Sequence, residues 1–136
     1  MSSDGFAPEV EQYYETEDKI RLLLDTVVDG PSANAAAPRL MELAGEFRSR
    51  IRPYWLWLAQ ATNDQTNKML ERRVQQLRSS GLDSKPPNPD REIEIARQPA
   101  NESFKAALAA VYQAQVDQAP RRHAESAQKL LDKLNQ

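Results

Sequence analysis

The spacing of apolar residues along the chain predicts helices rather than strands. Apolar side chains recur at three- and four-residue intervals, which places them on one face of a helix. No segment keeps the alternation of apolar and polar residues that a half-buried strand requires. In the first periodic segment the apolar positions are Val10, Tyr13, Tyr14, Ile20, Leu23, Leu24 and Val27. The pattern therefore predicts an all-α protein.

The end of the first helix and the start of the second are predicted from glycine and proline. After a frayed start over residues 1–8, the first helix should end near Asp29-Gly30-Pro31, because glycine adopts the left-handed cap and proline cannot continue a helix. Ser32 is then the predicted N-cap of the second helix. Pro38 should kink this helix or delay its start. Its predicted buried face carries Leu40, Leu43, Phe47 and Ile51.

Pro53 leaves two arrangements open. It either begins a new helix at its first turn or bends one long helix that runs from about residue 39 to residue 79. We favour a new or sharply kinked helix at Pro53. Ser79-Ser80-Gly81 is the predicted end of this part of the chain, since glycine commonly follows the last turn of a helix.

The C-terminal part is predicted to hold a loop and three helical segments. Residues 80–90 contain three prolines and should form a long loop. A short helix over Asp90–Arg97 follows, and Asn101 should cap a helix that Pro120 interrupts. Residues 1–136 are thus predicted to form a single domain, an up-and-down bundle of three to four main helices broken by prolines.

Charge is unevenly distributed along the chain, although the net charge is only −2. Acidic residues predominate over residues 1–30, and basic residues predominate over residues 39–78. Opposite charges favour neighbouring helices, so the first helix should lie beside the second or the third. A slightly acidic chain does not favour nucleic acid as a partner.

The sequence shows neither an apolar run long enough for a membrane span nor an export signal. The longest dense apolar run, residues 54–59, is far shorter than the roughly 20 residues of a transmembrane helix. The first residues lack the basic and apolar regions of an export signal. A signal removed earlier would leave the same pattern, so the compartment stays open and an extracytoplasmic location is compatible with it.

No catalytic motif is found, and the chain is predicted to be neither an enzyme nor a metal or cofactor protein. The chain has no cysteine, which excludes disulfides and thiolate metal sites. His123 is the single histidine, so paired-histidine metal motifs cannot form. No nucleophile elbow or phosphate-binding glycine loop occurs. Glu17 lies on the apolar stripe of the first helix, where it either reaches water or is a buried functional acid.

Residues 48–58 are the strongest local feature, because they hold both tryptophans and three arginines. On a helix Trp55 and Trp57 point about 200° apart, so one should enter the core while the other faces outward or covers a neighbouring loop. The leading interpretation is an interaction protein that binds a protein partner or a second copy of itself. The candidate partner surface consists of Arg48, Arg50, Arg52, Tyr54 and Trp57.

A binding module for a small hydrophobic or anionic ligand is the alternative interpretation. The candidate pocket consists of Tyr13, Tyr14, Arg52 and Trp55. A partner surface would leave exposed aromatic residues on a filled core, whereas a ligand module would leave a cavity between helices.

Residues 24–40 resemble a pattern in small, uncharacterised exported helical proteins of planctomycete-type bacteria. In that pattern a helix ends at an acidic turn and is followed by a Ser-Ala, triple-alanine and proline segment, here Asp29 to Pro38. The resemblance implies an extracytoplasmic location and no known activity, so it carries over no functional residues. The chain departs from the pattern by its aromatic residues 54–58 and its proline-rich residues 86–89.

Overall fold

The fold consists of helices and turns throughout residues 7–136, which are the residues that our computed structural model describes. Six α-helices and one 3-10 turn over Leu82–Ser84 follow one another along the chain. The helices are α1 (Pro8–Asp25), α2 (Gly30–Gln60), α3 (Asn63–Ser80), α4 (Pro89–Ala96), α5 (Glu102–Gln118) and α6 (Arg121–Leu134). Of the frayed start predicted for residues 1–8, residues 1–6 lie outside the described part, and α1 already begins at Pro8.

The prediction of an all-helical fold is confirmed for the described residues, which contain no strand. The number of helices is larger than the three or four main helices that we predicted. The expected break at Pro120 and the expected short α4 each give a separate helix, and an unexpected break at residues 61–62 adds one more.

The turn between α1 and α2 differs from the prediction. α1 ends at Asp25, four residues before the expected stop, and Asp29 rather than Ser32 is the N-cap of α2. Asp29 Oδ1 accepts a hydrogen bond from the Ser32 backbone N–H at 2.9 Å, and Ser32 Oγ accepts one from the Asp29 N–H at 3.1 Å. This reciprocal capping box satisfies two helix-end donors and so sets the start of α2 ahead of Pro31.

Neither proline inside α2 ends that helix. α2 runs without interruption through Pro38 and Pro53, and the break lies eight residues later, at Ala61 and Thr62. Ile51 and Tyr54 are both buried beside Pro53, and this packing offsets the loss of one backbone hydrogen bond. Thr62 and Gln65 form a second capping box, which provides a true helix start at α3.

The C-terminal part differs from the prediction in two details, because α4 already begins at Pro89, inside the expected loop, and the Asn101 side chain does not cap α5. α3 ends at Ser80, and Gly81 follows with a φ of 77°, the left-handed conformation expected of a glycine cap. Asn101 occupies the N-cap position of α5, but its fully buried side chain does not cap the helix. It donates instead to the Ile95 carbonyl at 2.9 Å and thereby holds the end of α4 against α5.

The long helix α2 lies at the centre of the bundle and packs against α1 on one side and α5 on the other. α6 packs on α5, and α4 contacts α2, α5 and α6. The fully buried side chains of this core come mainly from these helices and include Val10, Leu40, Leu43, Phe47, Ile51, Phe104, Leu108 and Leu134. α3 differs from its neighbours, because its buried side chains are Met69 and Arg73 alone.

None of the helices in residues 7–136 combines the length and the apolar character needed to cross a membrane.

Candidate functional site

Three tyrosines meet where α1 faces the later turns of α2. The rings of Tyr13 and Tyr54 are stacked, with their centroids 3.9 Å apart, and Tyr14 packs edge-on against Tyr54. The Tyr14 and Tyr54 hydroxyls share a 2.8 Å hydrogen bond, and the Tyr14 hydroxyl also lies 3.5 Å from Met69 Sδ. All three tyrosines are buried. We call Tyr13, Tyr14 and Tyr54 the tyrosine cluster.

Arg73 of α3 reaches across to α1 and closes one side of the tyrosine cluster. Its guanidinium donates to Asp18 Oδ1 at 2.7 Å and Oδ2 at 2.9 Å, and to Glu17 Oε1 at 3.0 Å. It also lies over the Tyr14 ring, 4.1 Å from the centroid, in a cation–π contact. The Arg73 side chain is 8% exposed. Arg73 is therefore the main attachment of α3 to α1.

Sequence reasoning missed Arg73, although two signals pointed to it. Arg73 follows Met69 by four residues and shares its face of α3, and Glu17 interrupts the apolar face of α1. In the structure Glu17 is neither fully buried nor free in water, since its side chain is 31% exposed and bonds Arg73. The contact confirms the prediction that the acidic first helix lies beside a basic later helix.

Burial and neighbouring charges shift the pKa values of the tyrosine cluster and of the charged residues beside it. Burial raises the pKa of Glu17, against the opposing effect of the Arg73 charge. Burial and the Glu17 charge raise the pKa of Tyr13, and burial also raises the pKa of Tyr54. Burial alone would lower the pKa of Arg73, but hydrogen bonds and charge from Asp18 raise it. The tyrosines stay protonated and Arg73 stays charged at neutral pH, so these groups can form the hydrogen bonds and ion pairs that join α1, α2 and α3.

The five residues of the candidate partner surface do not share a face, which corrects that prediction. Tyr54 is buried in the tyrosine cluster, and Trp57 is partly buried against the core. Arg50 turns to α1, where its Nη1 donates to Gln12 Oε1 at 2.6 Å.

Arg48 and Arg52 turn to the other side of α2. Arg48 forms a 2.8 Å ion pair with Asp117, and Arg52 Nε donates to Gln118 Oε1 at 3.1 Å, both on α5. Residues two apart on a helix point about 200° apart, so three arginines at alternate positions cannot form one surface. Trp55 and Trp57 are both partly buried and packed against the core, so neither tryptophan faces fully outward.

Two of the four residues of the candidate ligand pocket line a common cavity. A cavity of about 210 Å³ opens between the helices, and its lining includes Tyr13 and Trp55 together with Ile51, Gln115, His123 and Leu130. The Trp55 and His123 rings lie 4.4 Å apart at its edge. Tyr14 and Arg52, the other two predicted residues, do not line it, because Tyr14 faces Met69 and Arg52 faces Gln118. We call this the Trp55 cavity.

The outer face of α3 carries an apolar surface that sequence reasoning did not single out. Leu70 and Val74 lie one turn apart and are 50% and 44% exposed, and Leu77 continues the row half-buried. Glu71 and Arg78 are seven residues apart and so lie on one side of this row. The described residues provide neither of them with an ion pair. We call Leu70, Glu71, Val74, Leu77 and Arg78 the α3 outer face.

No group of three or more histidine, cysteine, aspartate or glutamate side chains within residues 7–136 is arranged to hold a metal ion. No protein-family model matches the sequence. No curated protein matches it, and no solved structure matches the fold.

Proposed function

We propose that this chain is a non-enzymatic interaction protein that binds a second copy of itself through the α3 outer face. The observation that carries this proposal is the division of the apolar residues of α3. Met69 faces the tyrosine cluster, whereas Leu70 and Val74 are exposed to solvent one turn apart. Apolar residues at this spacing are the usual contacts between packed helices.

The charges beside this row favour a second copy as the partner. A two-fold symmetric contact brings the same surface of both copies together. If residue i of one copy contacts residue j of the other, residue j of the first copy also contacts residue i of the second. If two α3 helices pair antiparallel about a point between residues 74 and 75, Glu71 of each copy lies opposite Arg78 of the other. The two equivalent ion pairs then lie on the same side of the apolar row formed by Leu70, Val74 and Leu77. The α3 outer face is in this sense complementary to itself.

Light-scattering mass over a concentration series tests the proposal. We expect the wild type to move from 15.4 kDa toward twice that mass as its concentration rises into the millimolar range. Leu70→Glu places a charge in the apolar row and should keep the protein monomeric. The matched control is Leu22→Glu on α1, because Leu22 is 51% exposed and Leu70 is 50% exposed. Leu22→Glu should associate as the wild type does.

Exchanging the two charges distinguishes this specific contact from non-specific association. Arg78→Glu should weaken self-association, because it places two acidic residues opposite each other. Glu71→Arg combined with Arg78→Glu restores both ion pairs in exchanged positions and should recover association. A wild type that stays monomeric throughout, or a double variant no better than Arg78→Glu, would overturn the proposal.

The Trp55 cavity supports a second candidate function, a helical module for a small apolar ligand. The cavity is bounded mainly by aromatic and aliphatic side chains, with the polar side chains of Gln115 and His123 at hand to orient a ligand. Its volume of about 210 Å³ suits a molecule the size of a single aromatic ring.

Benzyl alcohol is a suitable probe for the Trp55 cavity. Titration should shift the Trp55 indole N–H resonance saturably, because that ring lines the cavity. Ala119→Leu fills part of the space and should abolish the shift, whereas Ala110→Leu alters another partly buried alanine of the same region and should retain it. If Ala119→Leu binds benzyl alcohol as the wild type does, the cavity is not the binding site.

A further inference from the structure

A second cavity lies between α1, the proline-rich loop and the start of α4. It has a volume of about 220 Å³. Its apolar wall is formed by Leu24, Leu82, Pro86 and Pro87. Its polar lining comes from two arginines, Arg21 and Arg91, from the Lys85 and Asp25 side chains, and from Glu92. We call this the arginine cleft.

Within residues 7–136, Arg21 and Arg91 donate hydrogen bonds only to backbone carbonyls. Arg21 Nη2 donates to the carbonyls of Leu82 at 3.2 Å and Lys85 at 3.4 Å. Arg91 Nη2 donates to the Val27 carbonyl at 2.9 Å. The Nε atom of each is buried without a hydrogen-bond partner in the part of the chain that the structure describes. Neither guanidinium lies within ion-pair distance of a carboxylate in that same part.

The two acidic side chains of the arginine cleft, Asp25 and Glu92, do not fully neutralise the charges of the two arginines. Asp25 is already paired with Lys85, at 3.4 Å. Glu92 is buried, and this burial raises its pKa to about 7, although the Arg91 charge opposes the change. Near neutral pH Glu92 is therefore only partly ionised. Two partly buried guanidiniums that line the arginine cleft are thus left without a full counter-charge from the described residues.

We propose that the arginine cleft binds a small organic carboxylate, with its carboxylate group beside Arg21 and Arg91 and its short aliphatic part against Leu24 and Pro86. A guanidinium is suited to a carboxylate, because its planar donors match the two oxygens. The aliphatic wall favours an organic acid over a bare inorganic anion, since an apolar chain gains from leaving water there. A neutral Glu92 carboxyl adds a donor for the same anion.

The test is an NMR titration that follows the Nε–Hε resonances of Arg21 and Arg91. Butyrate is the probe, butyramide is its uncharged counterpart of the same shape, and inorganic phosphate is the bare anion. Butyrate should shift both resonances saturably, and butyramide and phosphate should bind at least about tenfold more weakly. If butyramide binds as tightly as butyrate, the negative charge of the ligand is not recognised and the proposal is overturned. If phosphate binds as tightly as butyrate, the aliphatic wall does not contribute and the proposal of an organic carboxylate is overturned.

Substitution of the two arginines tests whether butyrate binds in the arginine cleft. Arg91→Gln and, separately, Arg21→Gln should each weaken butyrate binding by about tenfold or more. The control is Arg97→Gln, because Arg97 is another arginine that donates to a main-chain oxygen, that of Gln136 at 2.8 Å, but lies outside the cleft. It should bind butyrate as the wild type does. Amide spectra of each variant check that the fold is kept, and unchanged binding in both cleft variants would overturn the proposal.

This inference is independent of the proposed self-association. No residue of the α3 outer face lines the arginine cleft. Failure of the butyrate titration would leave the light-scattering result unaffected, and a monomeric wild type would leave the titration result unaffected.

Discussion

Replacing Arg73 by methionine is expected to lower the free energy of unfolding by about 3 kcal/mol. The substitution keeps the aliphatic length of the side chain but removes its charge. Asp18 then loses two hydrogen bonds, Glu17 loses one, and the two neighbouring carboxylates repel each other without a cation between them. The cation–π contact with Tyr14 is lost as well. Because Met69 is the other buried residue of α3, that helix should lose most of its attachment.

Urea unfolding and amide hydrogen exchange measure these two consequences. The control is Lys68→Met, also on α3, whose ion pair with Asp64 is exposed on both sides and should change stability by less than about 0.5 kcal/mol. In Arg73→Met the amides of α3 should exchange much faster than in the wild type, while those of α2 and α5 should be less affected. If the stability of Arg73→Met equals that of Lys68→Met, Arg73 is not the attachment of α3.

Glu92 should make the protein less stable as the pH rises from about 5 to about 8. Its pKa is raised to about 7 in the folded state by burial, whereas an unfolded glutamate has an ordinary value near 4.5. Between these values the folded state holds more protons than the unfolded state, so raising the pH favours unfolding. The stability that protonated Glu92 contributes is fully present below its unfolded pKa of 4.5. It is lost as the pH rises through its folded pKa of about 7. The difference corresponds to at most about 3 kcal/mol.

Glu92→Gln should remove this dependence, because an amide has a similar shape and no charge to bury. The variant should match the wild type near pH 5 and exceed it at pH 8, as measured by urea unfolding at each pH. Glu94→Gln is the matched control, since Glu94 is an exposed glutamate on the same helix. It should leave the pH profile as it is in the wild type. A wild-type profile that stays flat between pH 5 and pH 8 would contradict the prediction.

The helix ends show how much local structure could be read from the chain. Gly81 was placed correctly, because a glycine after the last helical turn has few other uses. The start of α2 was placed three residues late, because Asp29 and Ser32 are both good caps and only their mutual hydrogen bonds decide between them. The break at Thr62 was missed although Thr62 and Gln65 match the capping-box pattern. Pro53 is a stronger local signal, and the packing of the surrounding residues overrides it.

The candidate site could be predicted only in part. Tyr13 and Trp55 were named for a ligand pocket, and both line the Trp55 cavity. Tyr54 was assigned to the surface, because its position within residues 48–58 could not reveal the 3.9 Å stacking on Tyr13 from another helix. The arginine cleft was not predicted at all, since Arg21 and Arg91 are 70 residues apart in the chain.

By itself the sequence determined the helical class, the glycine and proline turns of its second half, and the attraction between an acidic first helix and basic later ones. These features follow from backbone preferences and from charge, which act over a few residues or through the chain as a whole. The tertiary structure alone decided which arginines are paired. Among residues 7–136, it places Arg73 between two carboxylates and gives Arg21 and Arg91 no carboxylate within ion-pair distance. The side chains that surround a buried guanidinium come from separate helices, and only their packing brings them together.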